Sequence, residues 1–330
     1  MRDPHRVKII GTGRCLPERI VTNDELSQVL DTSDEWIRQR TGIGQRHRVG
    51  DDDSTCSLAV GAGRQALERA GVAAEDIDLL ICATVTPDYR LPFTAALVQR
   101  ELGIPEVNAF DLTSGCAGFV QAFQTVSAYL ASGLATRALV IGVDVMSSII
   151  NPRDRRTAVL FGDGAGAMVI VPTPEGESSG LYGASAGAAG DDEVLVIPGG
   201  GTRSPLTAES IAADEQYVVM KGRDVFRFAV EKFSTQIQES CRQAGIEPSE
   251  LRLVVPHQVN QRILDAATRR CGIDSERVYI NLDRYANCAG ASVPIAFDEA
   301  LEKGEVERGD AVCLVAFGSG LAWASALFRY

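Results

Sequence analysis

One cysteine of this 330-residue chain stands where a thiol could act as a nucleophile. Cys116 follows Val107–Phe110, which has the composition of a strand, and it precedes Ala117–Leu130, a mostly apolar segment typical of a buried helix. A thiol at the start of a helix faces unpaired N–H groups and the positive end of the helix dipole, which lowers its pKa and favours the thiolate. The sequence therefore predicts nucleophilic chemistry at Cys116. The alternative is a buried structural cysteine, which is our interpretation of most of the others.

A histidine and an asparagine complete a set that could handle a thioester. His257 follows the apolar strand Leu253–Val255, and open α/β sheets place their ligand sites at the ends of strands. Asn287 precedes an apolar segment that matches the helix after Cys116 in an internal repeat. A cysteine nucleophile, an imidazole and an amide that can donate to an oxyanion are the groups that acyl transfer from a thioester requires.

The internal repeat explains how these three residues can meet. Ala66–Cys82 and Ser240–Pro256 lie 174 positions apart, and each reads as a helix end, a short acidic loop and an apolar strand. Gly71 and Gly245 occupy matching positions just past the helices, where a left-handed residue is expected. We infer that an α/β half is duplicated and that the two helices meet near a pseudo-twofold axis. The alternative is that any two α/β segments look alike.

Predicted helices and strands alternate along the chain. A short helix with a capping residue is predicted to begin at Asn23, and a longer one covers Ser57–Ala70. Further strands are expected at Val7–Gly11, Ile77–Thr84, Ala138–Gly142, Ala167–Val171 and Val312–Ala316. Because Pro172–Ser179 is rich in Pro, Glu and Ser, we place a boundary there. The halves are residues 1–172, which carry the cysteine, and 173–330, which carry the histidine and asparagine.

Composition and charge disfavour other classes of protein. The net charge of −12 argues against binding to nucleic acid or to an anionic membrane, and no apolar run approaches the ~20 residues of a membrane span. The N-terminus lacks the apolar region of a signal peptide, so we expect a cytoplasmic protein with free thiols. The eight cysteines include no CxxC pair and there are only three histidines, which argues against a zinc site.

Two glycine-rich segments do not fit nucleotide binding. Gly11 and Gly13 follow a strand, but the third glycine of a dinucleotide-binding loop is missing and Pro17 blocks the expected helix. Gly162–Gly166 runs into a strand instead of a helix. We predict that these glycines allow tight turns and close approach of the backbone.

Together these residues resemble the thiolase superfamily and, more narrowly, the β-ketoacyl-acyl-carrier-protein synthase III family. The resemblance runs from Val7 to Tyr330. Its motifs are Thr32–Ile37, Arg40–Ile43, Cys116–Phe119, Phe161–Gly166, Pro256–Gln258, the Asn287 segment and Ala316–Gly320. It implies a thiolase-like α/β fold in which the two duplicated halves form five α-β-α-β-α layers. It also implies a homodimer that needs no metal or redox cofactor, with coenzyme A present as the thioester substrate.

The resemblance implies a decarboxylative Claisen condensation that initiates fatty-acid synthesis. Cys116 would attack an acyl-CoA and become acylated, and CoA would leave. His257 and Asn287 would then donate hydrogen bonds to the thioester oxygen of malonyl-acyl-carrier protein as CO2 departs. The backbone N–H groups of Cys116 and Ser319 would hold the tetrahedral oxyanion. The product would be a 3-ketoacyl-carrier protein.

The same resemblance assigns binding roles. Adenine would lie between Trp36 and Arg155. The other residues expected at CoA are Arg40 at its nucleotide end and Phe226, Asn260 and Gly199–Gly201 along the pantetheine channel. Arginines of one predicted helix, Arg262, Arg269 and Arg270, would receive an acidic carrier protein, and the alternative for them is a solvated face. The acyl pocket would include Phe161 and, reaching across from the partner subunit, Leu91.

The chain also departs from the family pattern, and this leaves alternatives open. Ala286, Cys288 and Ala289 surround Asn287 where the family often has Gly, Thr and Ser, and Ser319 replaces a usual glycine. A serine N–H can still donate unless its dihedral is one that only glycine tolerates. The alternatives are a priming ketosynthase or acyltransferase of a polyketide pathway, a thiolase with Cys288 as base, and a non-catalytic carrier-binding subunit. Primer length and branching stay open.

Overall fold

The computed structural model describes residues 5–330. Its strands are β1 (Val7–Cys15), β2 (Arg19–Thr22), β3 (Gln45–Arg48), β4 (Leu79–Ala83), β5 (Asn108–Leu112), β6 (Ala138–Val145), β7 (Asp163–Pro172), β8 (Gly180–Asp191), β9 (Leu195–Val196), β10 (Val219–Met220), β11 (Leu253–Pro256), β12 (Ala311–Gly318) and β13 (Gly320–Arg329). Its α-helices are α1 (Asn23–Ser27), α2 (Asp34–Thr41), α3 (Thr55–Ala70), α4 (Thr94–Leu102), α5 (Gly118–Ala131), α6 (Arg155–Ala158), α7 (Ala208–Ala212), α8 (Gly222–Ala244), α9 (Gln261–Cys271), α10 (Leu282–Tyr285) and α11 (Ser292–Glu302).

Two sheets share one strand order. The first runs β1-β7-β6-β4-β5, with β6, β4 and β5 parallel to one another and β7 antiparallel to both β1 and β6. The second runs β8-β13-β12-β11, with the same directions, and a parallel bridge from Val254 to Val278 stands where the first sheet has β5. The four strands of the second sheet therefore match four of the five strands in the first, as the internal repeat predicts, and a single bridge stands in place of the fifth.

The helices form three layers around these sheets. α3 and α4 pack outside the first sheet, α8 and α9 lie outside the second, and α5 and α11 are enclosed between the two. Because α11 contacts strands of both sheets, every residue from Ser292 to Ala300 is buried. Its buried Asp298 accepts hydrogen bonds from Thr12, Arg14 and Arg69, so this charge is paired. The predicted five-layered α/β arrangement is confirmed.

Helix ends follow the local sequence, with one correction. α3 and α8 end at Gly71 and Gly245, both left-handed with φ of 64° and 72°, as predicted. The helix expected at Asn23 is present, but its cap is Thr22, whose hydroxyl accepts from the N–H of Glu25. Asn23 instead lies inside the helix and is buried.

Glycines in β1 and β7 allow two helices to pack closely against the first sheet. A Cβ on Gly13 would lie 2.4 Å from the carbonyl oxygen of Ala62 in α3, and one on Gly166 would lie 2.7 Å from the amide nitrogen of Ile295 in α11. Any larger residue would push these helices off the sheet. The prediction of close backbone approach is therefore confirmed.

All eight cysteines carry free thiols, as predicted, and only Cys15 and Cys116 are partly exposed. Within residues 5–330, no group of three or more His, Cys, Asp or Glu side chains is arranged to hold a metal ion. No helix in this part of the chain is both long enough and apolar enough to cross a membrane.

Candidate active site

A tight turn at the end of β5 places Cys116. The N–H of Ala117 donates to the carbonyl of Ser114 at 3.2 Å, and the N–H of Gly118 donates to Gly115 at 3.0 Å. Gly115 has φ of +52°, a conformation that favours glycine. The helix itself begins at Gly118, so Cys116 lies two residues before its first turn.

The turn between β12 and β13 packs directly on Cys116. A Cβ on Gly318 would lie 2.7 Å from the Cys116 amide nitrogen and 3.1 Å from its Sγ. A Cβ on Gly115 would lie 3.1 Å from the amide nitrogen of Ser319. The backbones of Cys116 and Ser319 therefore lie side by side. Positive φ at a described non-glycine residue occurs at Asp214, Ala286 and Ala289 but not at Ser319, so serine is unstrained there.

His257 continues the pairing of β11 with β12. Its N–H donates to the carbonyl of Val315 at 2.8 Å, and its ring packs edge-on against Phe317 with centroids 5.8 Å apart. Nδ1 is buried and has no hydrogen-bond partner in the described part of the chain. We assign the proton of the neutral ring to Nε2, because a buried N–H without a partner is rarer than a buried acceptor without one. Burial lowers the pKa of His257 to about 3, so this ring is neutral at physiological pH.

Asn287 is fixed through its backbone and through its amide oxygen. It exchanges backbone hydrogen bonds with Leu160 and Gly162, each 3.0 Å long. Its Oδ1 accepts from the N–H of Ala289 at 2.8 Å. A backbone N–H can only donate, so this contact identifies the oxygen of the amide and leaves Nδ2 as the donor.

The structure brings these three side chains to one small cavity. Cys116, His257 and Asn287 line a space of about 30 Å³, together with Phe161 and Phe317. We call it the reaction cavity. Cys116 precedes the central helix α5 and Asn287 precedes α11, whereas Phe317 and Gly318 belong to β12 of the second sheet.

Two larger cavities adjoin the reaction cavity. The entrance cavity, of about 370 Å³, shares Phe161 and Asn287 with it, and its other lining residues include Arg40, Phe226, Asn260 and Arg262. The inner cavity, of about 310 Å³, shares Cys116 and Phe161 with it and also includes Ser319. The shared residues make both larger cavities direct neighbours of the reaction cavity.

The electrostatics of Cys116 differ from the sequence-based expectation. Burial, then the nearby carboxyl of Asp144, raises the pKa of the Cys116 thiol to about 12. The expected lowering by the helix dipole was wrong, because the thiol lines a cavity of only about 30 Å³ and stands before the helix. Since the pKa of His257 is depressed, Cys116 is a protonated thiol and His257 is a neutral imidazole at pH 7.

Residues predicted at the nucleotide end of CoA also lie together. The guanidinium carbons of Arg40 and Arg155 lie 5.9 and 5.3 Å from the ring centroid of Trp36. Asn260 caps α9 through the N–H of Arg262, and its Nδ2 donates to the carbonyl of Arg40 at 3.1 Å. This contact holds the start of α9 against α2.

The remaining predicted residues lie farther out. Arg262, Arg269 and Arg270 are exposed on α9, and none of them is within ion-pair distance of a carboxylate in the described chain. Leu91 is 84% exposed and lies outside all three cavities. Gly199–Gly201 also lies outside them, with Gly199 packed against Leu206, so the structure does not support its predicted place in the channel.

Sequence reasoning missed a buried carboxylate beside the site. Asp144, at the end of β6, accepts from the N–H groups of Val85 and Gly290, both at 2.8 Å, and from Thr84 and Thr86. It thereby ties the first sheet to the turn after Asn287. Burial raises its pKa to about 7. A single acid inside the apolar segment Ala138–Val145 was the signal that could have identified it.

Cys288 does not share the reaction cavity. Its Sγ donates to the carbonyl of Tyr285 at 3.3 Å, and its side chain packs in a cluster with Ala291 and Ile295. Burial raises its pKa well above the ordinary value. The structure therefore gives no support to a second cysteine acting as a base.

Comparison with protein families decides the assignment. Residues 110–190 match the model described as 3-oxoacyl-[acyl-carrier-protein] synthase III, and residues 241–330 match its C-terminal counterpart. A β-ketoacyl-[acyl-carrier-protein] synthase III from Roseiflexus sp. (strain RS-1) is 45% identical over 97% of this chain and 97% of its own. The chain belongs to the 3-oxoacyl-[acyl-carrier-protein] synthase III family.

Solved structures of this synthase III family have the same fold. The crystal structure of 3-oxoacyl-[acyl-carrier-protein] synthase III from Aquifex aeolicus VF5 has a TM-score of 0.90 and 39% identity, and the match covers 98% of this chain and all of that one. The priming β-ketosynthase of the R1128 polyketide pathway also has a TM-score of 0.90, with 32% identity over 100% of this chain and 98% of that one. The thiolase-like fold predicted from sequence is confirmed.

Proposed function

We propose that this synthase III family member condenses an acyl-CoA with malonyl-acyl-carrier protein to initiate fatty-acid synthesis. The observation that carries the proposal is the reaction cavity, which is lined by a thiol, an imidazole and an amide. It adjoins both the entrance cavity and the inner cavity. The enzyme uses no cofactor beyond its CoA thioester substrate and acts in the cytoplasm.

The first half-reaction acylates Cys116. Its sulfur attacks the carbonyl carbon of the acyl-CoA, and the backbone N–H groups of Cys116 and Ser319 donate to the oxygen that gains charge. The new C–S bond replaces the bond to CoA, and the thiol proton ends on the CoA sulfur. With its pKa depressed to about 3, His257 is a poor base for this step.

The second half-reaction needs donors, which the neutral imidazole and the fixed amide supply. Nε2 of His257 and Nδ2 of Asn287 donate to the malonyl thioester oxygen, where charge collects as the carboxylate leaves as CO2. The resulting carbanion attacks the acyl group and releases the cysteine sulfur. One proton is taken up to restore the thiol, and the product is a 3-ketoacyl-carrier protein.

The nucleotide of CoA binds at Trp36. A base stacked between Trp36 and Arg155 needs about 7 Å between the two planes, whereas Arg155 lies 5.3 Å from the ring in this structure. Arg155 must therefore move outward when CoA binds. Its side chain is 46% exposed, and within residues 5–330 its ion-pair partner is Asp31, which is itself exposed, so such movement is easy. Arg40, Phe226 and Asn260 line the way inward.

The acidic carrier protein binds at α9. Arg262, Arg269 and Arg270 are exposed cations on an otherwise acidic protein, and Arg262 also lines the entrance cavity. A carrier docked there can deliver its prosthetic arm directly into the path to Cys116. Charge complementarity of this kind orients the partner and speeds association.

The active form is a homodimer. Tyr89, Leu91 and Phe93 expose apolar side chains on one loop, and β5 is the edge strand of its sheet in the described part of the chain. Loops and edges of this kind are commonly covered in an assembly. Leu91 then reaches from one subunit toward the acyl pocket of its partner.

Acyl transfer and CO2 release in the Cys116→Ala variant test the function. Wild-type enzyme should take up label from an acyl-CoA and release CO2 from malonyl-acyl-carrier protein in equal amount to the ketoacyl product. The variant should take up no label and form no product. Full condensation by Cys116→Ala would overturn the proposal.

A second candidate function is priming of a polyketide, which the resemblance to the R1128 priming β-ketosynthase favours. The chemistry is the same, so the carrier protein distinguishes the two. Faster condensation with a polyketide carrier than with the fatty-acid carrier of the same cell would favour this candidate. Acyl transfer without CO2 release would instead indicate a simple acyltransferase.

A further inference from the structure

Asp144 is a fully buried carboxylate that neither half-reaction uses directly. It lies at the end of β6 and lines none of the three cavities. Burying a charge is costly, and in the described part of the chain the groups that offset this cost are hydrogen-bond donors rather than cations. These donors belong to two segments, the loop after β4 and the turn after Asn287.

One carboxylate oxygen of Asp144 holds the loop after β4. Its Oδ1 accepts from the N–H of Val85 at 2.8 Å and from the hydroxyls of Thr84 and Thr86 at 3.2 and 3.3 Å. Each hydroxyl also accepts from a backbone N–H: Thr84 from that of Thr86, and Thr86 from that of Val145. The hydroxyl protons are therefore directed at Asp144, so Oδ1 is surrounded by donors.

The other oxygen, Oδ2, holds the turn that carries Asn287. It accepts from the N–H of Gly290 at 2.8 Å. The preceding residue, Ala289, has φ of +45°, a left-handed conformation that is unfavourable for alanine. The N–H of the same alanine donates to Oδ1 of Asn287 at 2.8 Å. The carboxylate thus holds one end of a strained segment whose other end fixes the amide.

We propose that Asp144 is a positioning residue for the second half-reaction, because its hold on the Gly290 N–H fixes the amide of Asn287. Without this contact Ala289 can relax to an ordinary conformation, and its N–H then leaves the amide oxygen. Nδ2 is then no longer held as a donor to the malonyl thioester. Cys116 is placed by its own turn after β5, so acylation does not depend on this contact. The inference rests on the proposed function, in which the amide donates during decarboxylation.

Asparagine at position 144 is a probe of nearly the same shape. A carboxylate accepts at both oxygens, whereas an amide accepts at one end and donates at the other. In the described chain, Oδ1 of Asp144 faces three donors and Oδ2 faces one, so the amide of Asp144→Asn places its NH2 group against the Gly290 N–H. Two donors then face each other. The contact with the turn is lost, while those with the loop after β4 are kept.

The test compares the two half-reactions of Asp144→Asn. Intact mass gives the rate of Cys116 acylation by acetyl-CoA and by butyryl-CoA. Trapped CO2 gives the rate at which the acylated enzyme decarboxylates malonyl-acyl-carrier protein, made with the fatty-acid carrier of the same cell. Both are measured at about pH 8, where the wild-type carboxylate is ionised, since burial raises its pKa to about 7.

The two rates should separate. We expect decarboxylation by Asp144→Asn to fall at least about tenfold, because a displaced donor no longer stabilises the charge on the thioester oxygen. Acylation should not fall. After burial, the charge of Asp144 is the next cause of the raised pKa of the Cys116 thiol, so removing this charge favours the thiolate. Equal loss of both rates would overturn the inference.

A double-mutant cycle with Asn287→Ala shows whether Asp144 acts through the amide. In the Asn287→Ala background, Asp144→Asn should change decarboxylation by less than about twofold, because the group that it positions is already absent. A merely structural role would lower decarboxylation by the same factor in both backgrounds. Equal factors would therefore also overturn the inference.

Asp298→Asn is the matched control, because Asp298 is equally buried. Its donors line none of the three cavities, and they are Thr12, Arg14 and Arg69. This variant should lower the thermal midpoint and leave the ratio of decarboxylation to acylation unchanged.

Thr84→Val gives a second reading should Asp144→Asn fold poorly. It removes one donor to Oδ1, so the carboxylate is held less firmly, and the ratio of decarboxylation to acylation should fall about threefold. A wild-type ratio in every variant of these two that folds would overturn the inference and leave the proposed function intact. Failure of the wild-type enzyme to acylate Cys116 or to release CO2 would defeat the proposed function, and the inference with it.

Discussion

At the scale of single residues, burial decides the state of the reacting groups. It raises the pKa of Cys116 and lowers that of His257, so both are neutral when the enzyme is at rest. An ion pair would make the thiol reactive toward any electrophile. The neutral pair keeps it unreactive until a thioester occupies the site with its oxygen at the backbone donors. The imidazole is thereby suited to donating a hydrogen bond and poorly suited to accepting a proton.

The first prediction concerns alkylation of Cys116 by iodoacetamide. Because the thiol pKa is raised, the rate should climb about tenfold per pH unit from about pH 7 to about pH 10. The measurement follows the Cys116 peptide by mass spectrometry, with Cys15, the other partly exposed cysteine, as an internal reference. A plateau near neutral pH would indicate a thiolate–imidazolium pair and contradict this assignment.

The second prediction concerns strain beside Asn287. Ala286 has φ of 59° and ψ of −155°, a region suited to glycine. Ala286→Gly should therefore stabilise the protein by about 1 kcal/mol, seen as a higher thermal midpoint. Ala73→Gly, at an exposed residue with φ of −75°, is the control and should give no gain. An equal or lower midpoint for Ala286→Gly would show that the surroundings already relieve the strain.

At the scale of elements, the sequence predicted the helices and strands that hold the three reacting residues. It did not predict the other residues that line the cavities. Cys116, His257 and Asn287 were identifiable because each follows or precedes a strongly patterned segment. The ribbon of β9 and β10, which contributes Leu195 and Met220 to the reaction cavity, has no such pattern, since each strand spans two residues. The direction of the shift in the Cys116 pKa could not be predicted either. The burial of this thiol depends on the β12–β13 turn, which lies about two hundred residues away along the chain.

The third prediction concerns the arginine face of α9. The double variant Arg269→Glu/Arg270→Glu should raise KM for malonyl-acyl-carrier protein at least about tenfold through lost charge complementarity. Acylation by acyl-CoA should stay unchanged, since both residues lie outside the three cavities. Arg64→Glu, an exposed arginine of α3, serves as the control and should change neither parameter. An unaltered KM in the double variant would show that the carrier protein docks on another surface.

At the scale of the whole molecule, the site depends on the meeting of two similar halves. We propose that the chain divides at residues 172 and 173, and the shared strand order of the two sheets supports this division. The sequence repeat predicted the pairing of the halves because helix ends and apolar strands recur at a constant offset. It could not predict the cavity volumes, which depend on how closely side chains from both halves approach.

The fourth prediction concerns assembly. Leu91→Asp places a charge on the exposed apolar loop and should shift sedimentation from dimer to monomer, because an unpaired charge is poorly tolerated in an interface. Val29→Asp alters a residue that is 75% exposed on another part of the surface and should leave the dimer intact. A dimer in both variants would exclude this loop from the interface, and a wild-type monomer would exclude the dimer itself.

The central claim is that Cys116 holds the acyl group while His257 and Asn287 act on the malonyl group. A single turnover of His257→Ala, followed by intact mass and CO2 release, tests it most directly. We predict that the variant becomes acylated at Cys116 and then keeps the acyl group when malonyl-acyl-carrier protein is added, with CO2 release reduced at least about a hundredfold. Release of CO2 at the wild-type rate, or an unmodified Cys116 in the wild-type enzyme, would contradict the account.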